Sequence, residues 1–245
     1  MAEELSNSSI LGRLLEEISW EGRLVRGYRH GGRGRENVLT AEVLGPLSYL
    51  PRATFLAAVL RKAQGADETR ELVAAEAEEA AITLLPDESR LSPNGVVVQP
   101  DGVLVTPSCH VLIEAKGMGK SAFQPEQLSR EFVCVHRDAG QSRPLLLLIT
   151  PEPPPLPVKG QGRLTIEAAI SLHLESVLAR TTGLTSTSDE LIATIPDTVA
   201  WLTWDDLGAA VAAAEVPDLP PSVAATIHRL RTDLLRALAW HKTKH

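Results

Sequence analysis

Aromatic residues are scarce in this chain: four Trp, two Tyr and three Phe make up 4% of its 245 positions. Alanine and leucine must therefore supply most of the apolar surface, which favours long helices. Cysteine is scarcer still. Cys109 and Cys134 are the only two, and they form neither a metal-ligand spacing nor a disulfide framework. Two free thiols in a reducing cytoplasm are the expectation. No run of about 18 apolar residues occurs, so no membrane-spanning helix is expected. The opening "MAEELSNSSILGRLLEE" lacks the basic start and apolar core of a signal peptide. Positive charge is not in excess either, the net charge being −7. A protein that coats nucleic acid non-specifically is usually basic, so any nucleic-acid contact here must be local or helped by a cation. There is no internal repeat.

What is present suits one large soluble domain, or one domain with a small appendage. Hydrophobic residues are 44% and charged residues 22% of the chain, enough to bury a core without disulfides or a structural metal. Ile10, Leu11, Leu14, Leu15 and Ile18 recur at helical spacing behind Ser8 and Ser9. Residues 23–35, "RLVRGYRHGGRGR", hold five arginines and no acid and read as a flexible arm. The segment from Glu36 to Ala63 reads as helix broken by Pro46 and Pro51, and 67–80 as an acidic, alanine-rich helix.

At about residue 80 the period changes from helical to two-residue. Strands are expected near 80–85, 95–106, 109–116 and 144–150, the last a continuous apolar run of the kind buried on both faces. "TVAWLTW" reads as a further strand. Helices are expected at 125–137 with Pro125 in the first turn, at 164–180, from Asp205, and at 221–240 with Ile227, Leu230, Leu234 and Leu238 on one face. Thr187 and Glu190 have capping-box spacing. "PEPPPLP" reads as a rigid surface loop. The order is that of a mixed α/β domain.

The hairpin at 99–116 carries charge where an apolar strand would not need it. In its second strand His110, Leu112, Glu114 and Lys116 share one face, and Val111, Ile113 and Ala115 the other. Folding about Pro107–Ser108 sets Thr106 opposite Cys109 and Asp101 opposite Glu114. Carboxylates directly opposite one another stand with β-carbons about 4.5–5.5 Å apart and repel. A hard divalent cation such as Mg²⁺ between them relieves that repulsion. Such a cation can also orient and acidify a water, and an ammonium at Lys116 can stabilise charge developing on a phosphate. The competing reading is an exposed, salt-bridged hairpin face.

Pro100-Asp101, with Glu114-Ala115-Lys116 beginning thirteen positions after Asp101 and a helix and an apolar strand behind them, resembles the PD-(D/E)XK nuclease superfamily. The resemblance covers roughly 36–150, or through 204 with the Trp-Leu-Thr-Trp strand. It implies a restriction-endonuclease-like core of helix, three-stranded meander, helix and strand, with added N- and C-terminal helices. The chain then divides into an N-terminal helix and Arg/Gly-rich arm (1–35), a nuclease core (36–204) and C-terminal helices packed on the same domain (205–245). Asp101 and Glu114 would ligate Mg²⁺ or Mn²⁺, the Ala115 carbonyl would add a ligand, and Lys116 would be the catalytic lysine. An acid on the first core helix often faces the same metal in such families, and Glu36 looks like that residue; a first-turn acid complementing the helix dipole is the competing reading. Glu76, Glu78 and Glu79 are rivals, though crowded acids more often mark a solvated face. Gln127 lies where some members carry a glutamine that belongs to the site. Those members follow it four positions later with tyrosine, where this chain has Glu131. Arg130 reads either as a phosphate contact or as a partner of Glu126 or Glu131.

Other motifs carry less. "GMGKS", residues 117–121, follows a strand, but a phosphate-binding loop would need glycine where Glu114 stands. Its glycines suit a chain leaving the strand and passing near the site. His110 reads as a surface imidazole. The leading expectation is a cytoplasmic, Mg²⁺-dependent nuclease acting on nucleic acid, DNA first, alone or as a homodimer. The alternatives are a nuclease-fold binding or assembly subunit working with a partner such as a separate specificity subunit, and a nucleotide-dependent enzyme using 117–121. No membrane partner is expected.

Overall fold

The computed structural model describes residues 33–93, 96–119, 121–216 and 218–243. The expected helix near 10–18 and residues 23–32 of the arginine-rich arm lie outside the described residues. Its last three residues do not continue a loop, because helix α1 already begins at Arg33 and runs to Tyr49. Pro46 lies within that helix and does not break it. Proline there gives up one ladder bond only a turn before the end, and the amide of Leu50 still closes on the Pro46 carbonyl at 3.1 Å. Pro51 is the true break, after which α2 spans Phe55–Lys62 and α3 spans Asp67–Ala75. A short 3₁₀ turn, Ala77–Glu79, leads into the sheet.

Five strands form that sheet: β1 (Ala81–Leu84), β4 (Gly102–Val105), β5 (Cys109–Ala115), β6 (Arg143–Thr150) and β9 (Val199–Thr203), hydrogen-bonded in that order. The first three pair antiparallel, whereas β5, β6 and β9 are parallel. The fold is therefore α/β with a mixed sheet. Strand 95–106 is not continuous as expected. Val97–Val98 (β3) pairs with Ser89–Arg90 (β2) in a separate ribbon, and β4 begins only at Gly102. Pro100, which has no amide to donate to a ladder, stands in the break.

Residue alternation sorts the sheet into two cores. Val111, Ile113, Ala115, Leu145, Leu147, Ile149, Ala200 and Leu202 face one. Leu112, Leu146, Leu148 and Val199 face the other. The first is covered by α1, α2, α3 and two C-terminal helices, α8 (Trp204–Ala213) and α9 (Pro221–Thr243), which pack on α2 and α1 within the same domain. Helix α8 starts at Trp204, one residue before the expected Asp205, because Thr203 caps it in a box with Asp206. The second core is covered by α4 (Gln127–Ala139), α5 (Ile166–Ser171), α6 (Leu174–Leu178) and α7 (Ser188–Thr198). Helix α4 starts two residues after Pro125, the expected beginning. The single helix expected over 164–180 is two short ones, the first capped by Thr165, whose hydroxyl accepts from the Ala168 amide. Thr187 and Glu190 do form the expected capping box.

Two further findings place the site. The proline-rich stretch is not loop throughout: Leu156–Val158 (β7) pairs with Gly162–Leu164 (β8). The β9 edge is closed by the loop after α2, where Gln64 and Trp201 exchange backbone hydrogen bonds of 2.8 and 2.9 Å. Gly65, at φ +83°, makes that approach feasible, since a Cβ there would stand 2.5 Å from the Val199 carbonyl oxygen. Among the described residues no helix is long and apolar enough to cross a membrane.

Candidate active site

The β4–β5 register is the expected one. Gly102 pairs with Ile113 and Val105 with His110, and the same count puts Asp101 opposite Glu114. Asp101 stands just before the ladder, its amide donating 3.0 Å to the Ile113 carbonyl. Its Oδ2 accepts from the Ala115 amide at 2.7 Å. Glu114 and Lys116 are not on a solvated face. Alternation directs Glu114 toward the core lying under α4, and Asp101, Glu114 and Lys116 are only 8%, 3% and 7% exposed. The exposed salt-bridge reading of the hairpin is thereby overturned.

Glu114 Oε1 accepts from Lys116 Nζ at 2.7 Å and from Gln127 Nε2 in the first turn of α4. Glu36, in the first turn of α1, reaches the same place rather than merely complementing its helix. It accepts from the Gly117 amide at 3.1 Å and the Ser121 hydroxyl at 2.5 Å, and its Oε2 lies 3.9 Å from Lys116 Nζ. Gly117 and Ser121 thus both stand at the site, each engaged by the same acid. Glu131, one turn after Gln127 on the same helix face, is 3% exposed, and its Oε2 has no hydrogen-bond partner.

The rivals stand elsewhere. Glu76 accepts from the amide and hydroxyl of Ser108, at the turn end of the hairpin. Glu78 accepts from the Ala53 amide, and Glu79 is exposed. Arg130 pairs with Glu126 at 3.1 Å while lining the cleft. His110 is half-buried rather than a surface imidazole, and burial lowers its pKa. Cys109 and Cys134 are free, as expected, and buried.

Four carboxyl side chains, Glu36, Asp101, Glu114 and Glu131, surround Lys116 in a cleft of about 320 Å³. Burial, then the Glu114 carboxylate, push Asp101 up to about 7. The same two causes hold Glu131 well above the usual carboxylate range. For Lys116, burial favours the neutral amine, but Glu114, Glu36 and Glu131 outweigh it and raise its pKa above the ordinary lysine value. The group is therefore an ammonium at neutral pH. Phe123 lies beneath it, ring centroid 5.0 Å from Nζ. The backbone is pinned as well: the Lys116 amide donates to the Ile149 carbonyl at 2.8 Å, and Trp204 Nε1 donates to the Lys116 carbonyl at 2.6 Å.

This donor set fits a hard cation. Its donor atoms are carboxyl and carbonyl oxygens, the kind such cations prefer, and burial beside Glu114 gives Asp101 a raised pKa that a cation would relieve. Asp101 and Glu114, with the Ala115 carbonyl, are the residues that could hold it. Among the described residues no group of three or more His, Cys, Asp or Glu side chains is placed to share one ion, so two carboxylates with backbone and water is the set available.

Sequence reasoning missed Glu131, Phe123, Ser121 and Trp204. Glu131 had a signal in its four-residue spacing from Gln127, which puts both on one helix face. Trp204 had none, lying 88 residues from its partner. In comparison with known proteins, no protein-family model matches this chain, and neither a curated protein nor a solved structure matches it.

Proposed function

We propose that the chain is a Mg²⁺-dependent nuclease, acting on DNA, with a core of the PD-(D/E)XK type. The observation that carries this reading is the burial of a register-opposed carboxylate pair against a lysine ammonium, at the end of an antiparallel meander crossed by a helix. The chain order around it, helix, meander, helix, parallel strand, supports the same core. So does the position of the site outside the carboxyl end of β5, where open α/β sheets place their ligands.

Each residue has a distinct task. Asp101 and Glu114 would hold the cation, with the Ala115 carbonyl. Bound Mg²⁺ supplies Lewis acidity toward phosphoryl oxygen and lowers the pKa of water. Gln127 orients Glu114 by donating to Oε1. Lys116, an ammonium at neutral pH, is an electrostatic clamp for a phosphate gaining negative charge, and not a base. Glu36 fixes Gly117 and Ser121 beside the ammonium. Water adds to phosphorus and the bond to the 3′ oxygen breaks, leaving a 5′-phosphate and a 3′-hydroxyl.

The test is cleavage of single- and double-stranded DNA and of RNA by the purified chain, with and without Mg²⁺ or Mn²⁺. Metal-dependent cleavage is expected. Lys116→Ala should retain metal-induced thermal stabilisation and lose cleavage, whereas Asp101→Asn should lose both. Cleavage undiminished in both variants would place the activity elsewhere. Nucleic-acid binding without cleavage in any metal would instead favour a binding subunit.

A further inference from the structure

A second cleft, of about 530 Å³, opens on the other side of Lys116. It shares Lys116 and Ala122 with the acidic cleft, so the two clefts adjoin at the ammonium. Their linings differ in sign. The acidic cleft sets four carboxyl groups against Lys116 and Arg130. Among the described residues the second sets Lys116, Arg163 and Lys242 against Glu152, with Met118 and Pro157 among its apolar walls. The second cleft is the better place for a phosphate that brings no cation of its own, because its rim carries three cations and the first cleft sets carboxyl groups around the ammonium.

We infer that this second cleft holds one unpaired nucleotide of a single DNA strand, next to the phosphate presented to Lys116. The inference rests on the nuclease reading and deepens it. The volume is that of a site for one small ligand. A nucleoside unit fits; a base still stacked in a duplex does not, because its neighbours and complementary strand would have to enter with it. A cationic groove that tracks the backbone is what draws single strands with little sequence preference.

The rim is tied to the ammonium. Phe123 beneath Lys116 exchanges backbone hydrogen bonds of 2.9 Å with the β7–β8 ribbon, donating to Pro157 and accepting from Lys159. That ribbon carries Arg163. The rim cations can also exchange partners. Arg163 pairs with Glu152 and Lys242 with Asp205, at 2.9 Å each, through side chains 46–71% exposed. Such exposed pairs are weak, and a phosphate can replace the carboxylate.

The experiment is fluorescence anisotropy on the full chain without divalent metal, so that binding is read without cleavage. The probes are a labelled single-stranded oligodeoxynucleotide of about eight nucleotides, the same strand with one abasic position moved along it, its blunt duplex and the matching RNA. The single strand should bind at least tenfold tighter than the duplex. One abasic position, and no other, should weaken it about tenfold, the scale of one lost base contact. Arg163→Glu, on an exposed strand, should leave the thermal midpoint unchanged, weaken the single strand about tenfold and abolish the abasic effect. In the cleavage assay the same variant should raise KM with kcat little changed. Equal affinity for single strand and duplex, no abasic effect, or unaltered binding by Arg163→Glu would each overturn the subsite, as would RNA bound more tightly than DNA. The two readings separate: cleavage with no Arg163 dependence removes the subsite alone, and Arg163-dependent single-strand binding with no cleavage in any metal removes the nuclease alone.

Discussion

At the Cys109 end of β5, Glu76 accepts hydrogen bonds from the amide and hydroxyl of Ser108, and the Thr106 hydroxyl accepts from the Cys109 amide at 3.1 Å. At the Ala115 end, six residues along the same strand, four carboxyl side chains crowd one ammonium, and a buried oxygen of Glu131 is left without a partner. The first arrangement spends its acid on closing a turn. The hydrogen bonds from Ser108, then Thr106, hold the Glu76 carboxyl below its ordinary range. The second arrangement raises the pKa of Asp101 and Glu131. One strand thus has an end where ionisation stabilises the fold and an end where ionisation opposes it. Opposed ionisation costs stability, so it persists where a ligand or a reaction uses it.

The largest way to break this contrast is to remove the cation. Lys116→Met leaves buried carboxylates facing one another and should cost about 3–5 kcal/mol of metal-free stability, besides abolishing cleavage. Urea unfolding at pH 8 measures it, and a loss of only a few tenths would mean the carboxyl groups are not ionised together.

The pH dependence comes next. Asp101 rises from 3.8 to about 7 in the fold. The unfolded chain then releases its proton first, so stability falls as pH climbs from about 4 to 7, by up to about 4 kcal/mol. Farther along α4, burial alone lowers His136 from 6.5 to about 4. Its contribution is present above 6.5 and is lost as pH falls toward 4, by up to about 3 kcal/mol. The two slopes oppose each other in the metal-free protein. Glu131, also raised, adds to the falling slope, so Asp101→Asn with Glu131→Gln should expose the His136 slope, with stability rising from pH 4 to 6.5, and His136→Gln should expose the carboxyl slope, with stability falling. Parallel profiles in the two variants would contradict the assignment.

Swapping acid for amide sharpens the comparison at smaller scale. Asp101→Asn and Glu131→Gln should each stabilise the metal-free protein at pH 8 by about 1–3 kcal/mol. Asp101→Asn should also forfeit the stabilisation that the proposed Mg²⁺ site would bring to the wild type. Glu76→Gln, the same chemical change at the other end of the strand, should destabilise. Thermal midpoints with and without Mg²⁺ decide it, and a common sign at both ends would erase the distinction.

The smallest effect expected is at Gly117. A Cβ there would stand 3.2 Å from Glu36 Cγ, so Gly117→Ala must push Glu36 aside by a few tenths of an ångström. Stability should change by under about 1 kcal/mol, while cleavage falls several-fold because Gly117 and Ser121, which Glu36 fixes, shift. An unchanged rate would detach Glu36 from the chemistry.

Much of this was legible in residue order. The period change near residue 80, the hairpin centre at Pro107–Ser108 and the apolar run at 145–149 placed β1, β5 and β6 and set Asp101 opposite Glu114. Strand periodicity is local, and alternation with a short turn leaves one register that keeps Val111 and Ile113 on one face. Pro46 misled because helix-breaking depends on how many bonds remain beyond the proline, and here only the last turn did. Val97–Val98 misled because alternation does not say which strand a segment pairs with. The start of the β7–β8 ribbon was hidden in "PEPPPLP", where proline content outweighed Leu156 and Pro157, two of the residues that pair.

What the sequence by itself determined was an α/β chain with a carboxylate pair and a lysine in register on one hairpin, because strand alternation and turn position are properties of neighbouring residues. Only the tertiary structure decided that these charges are buried. It set α4 over the even-numbered face of β5, brought Glu36 from 81 residues before Gly117 and Trp204 from 88 after Lys116, and divided the space around the ammonium into one acidic and one cationic cleft. Burial, and with it the raised pKa values, depends on which distant elements exclude water from a side chain, and spacing along the chain carries no record of that.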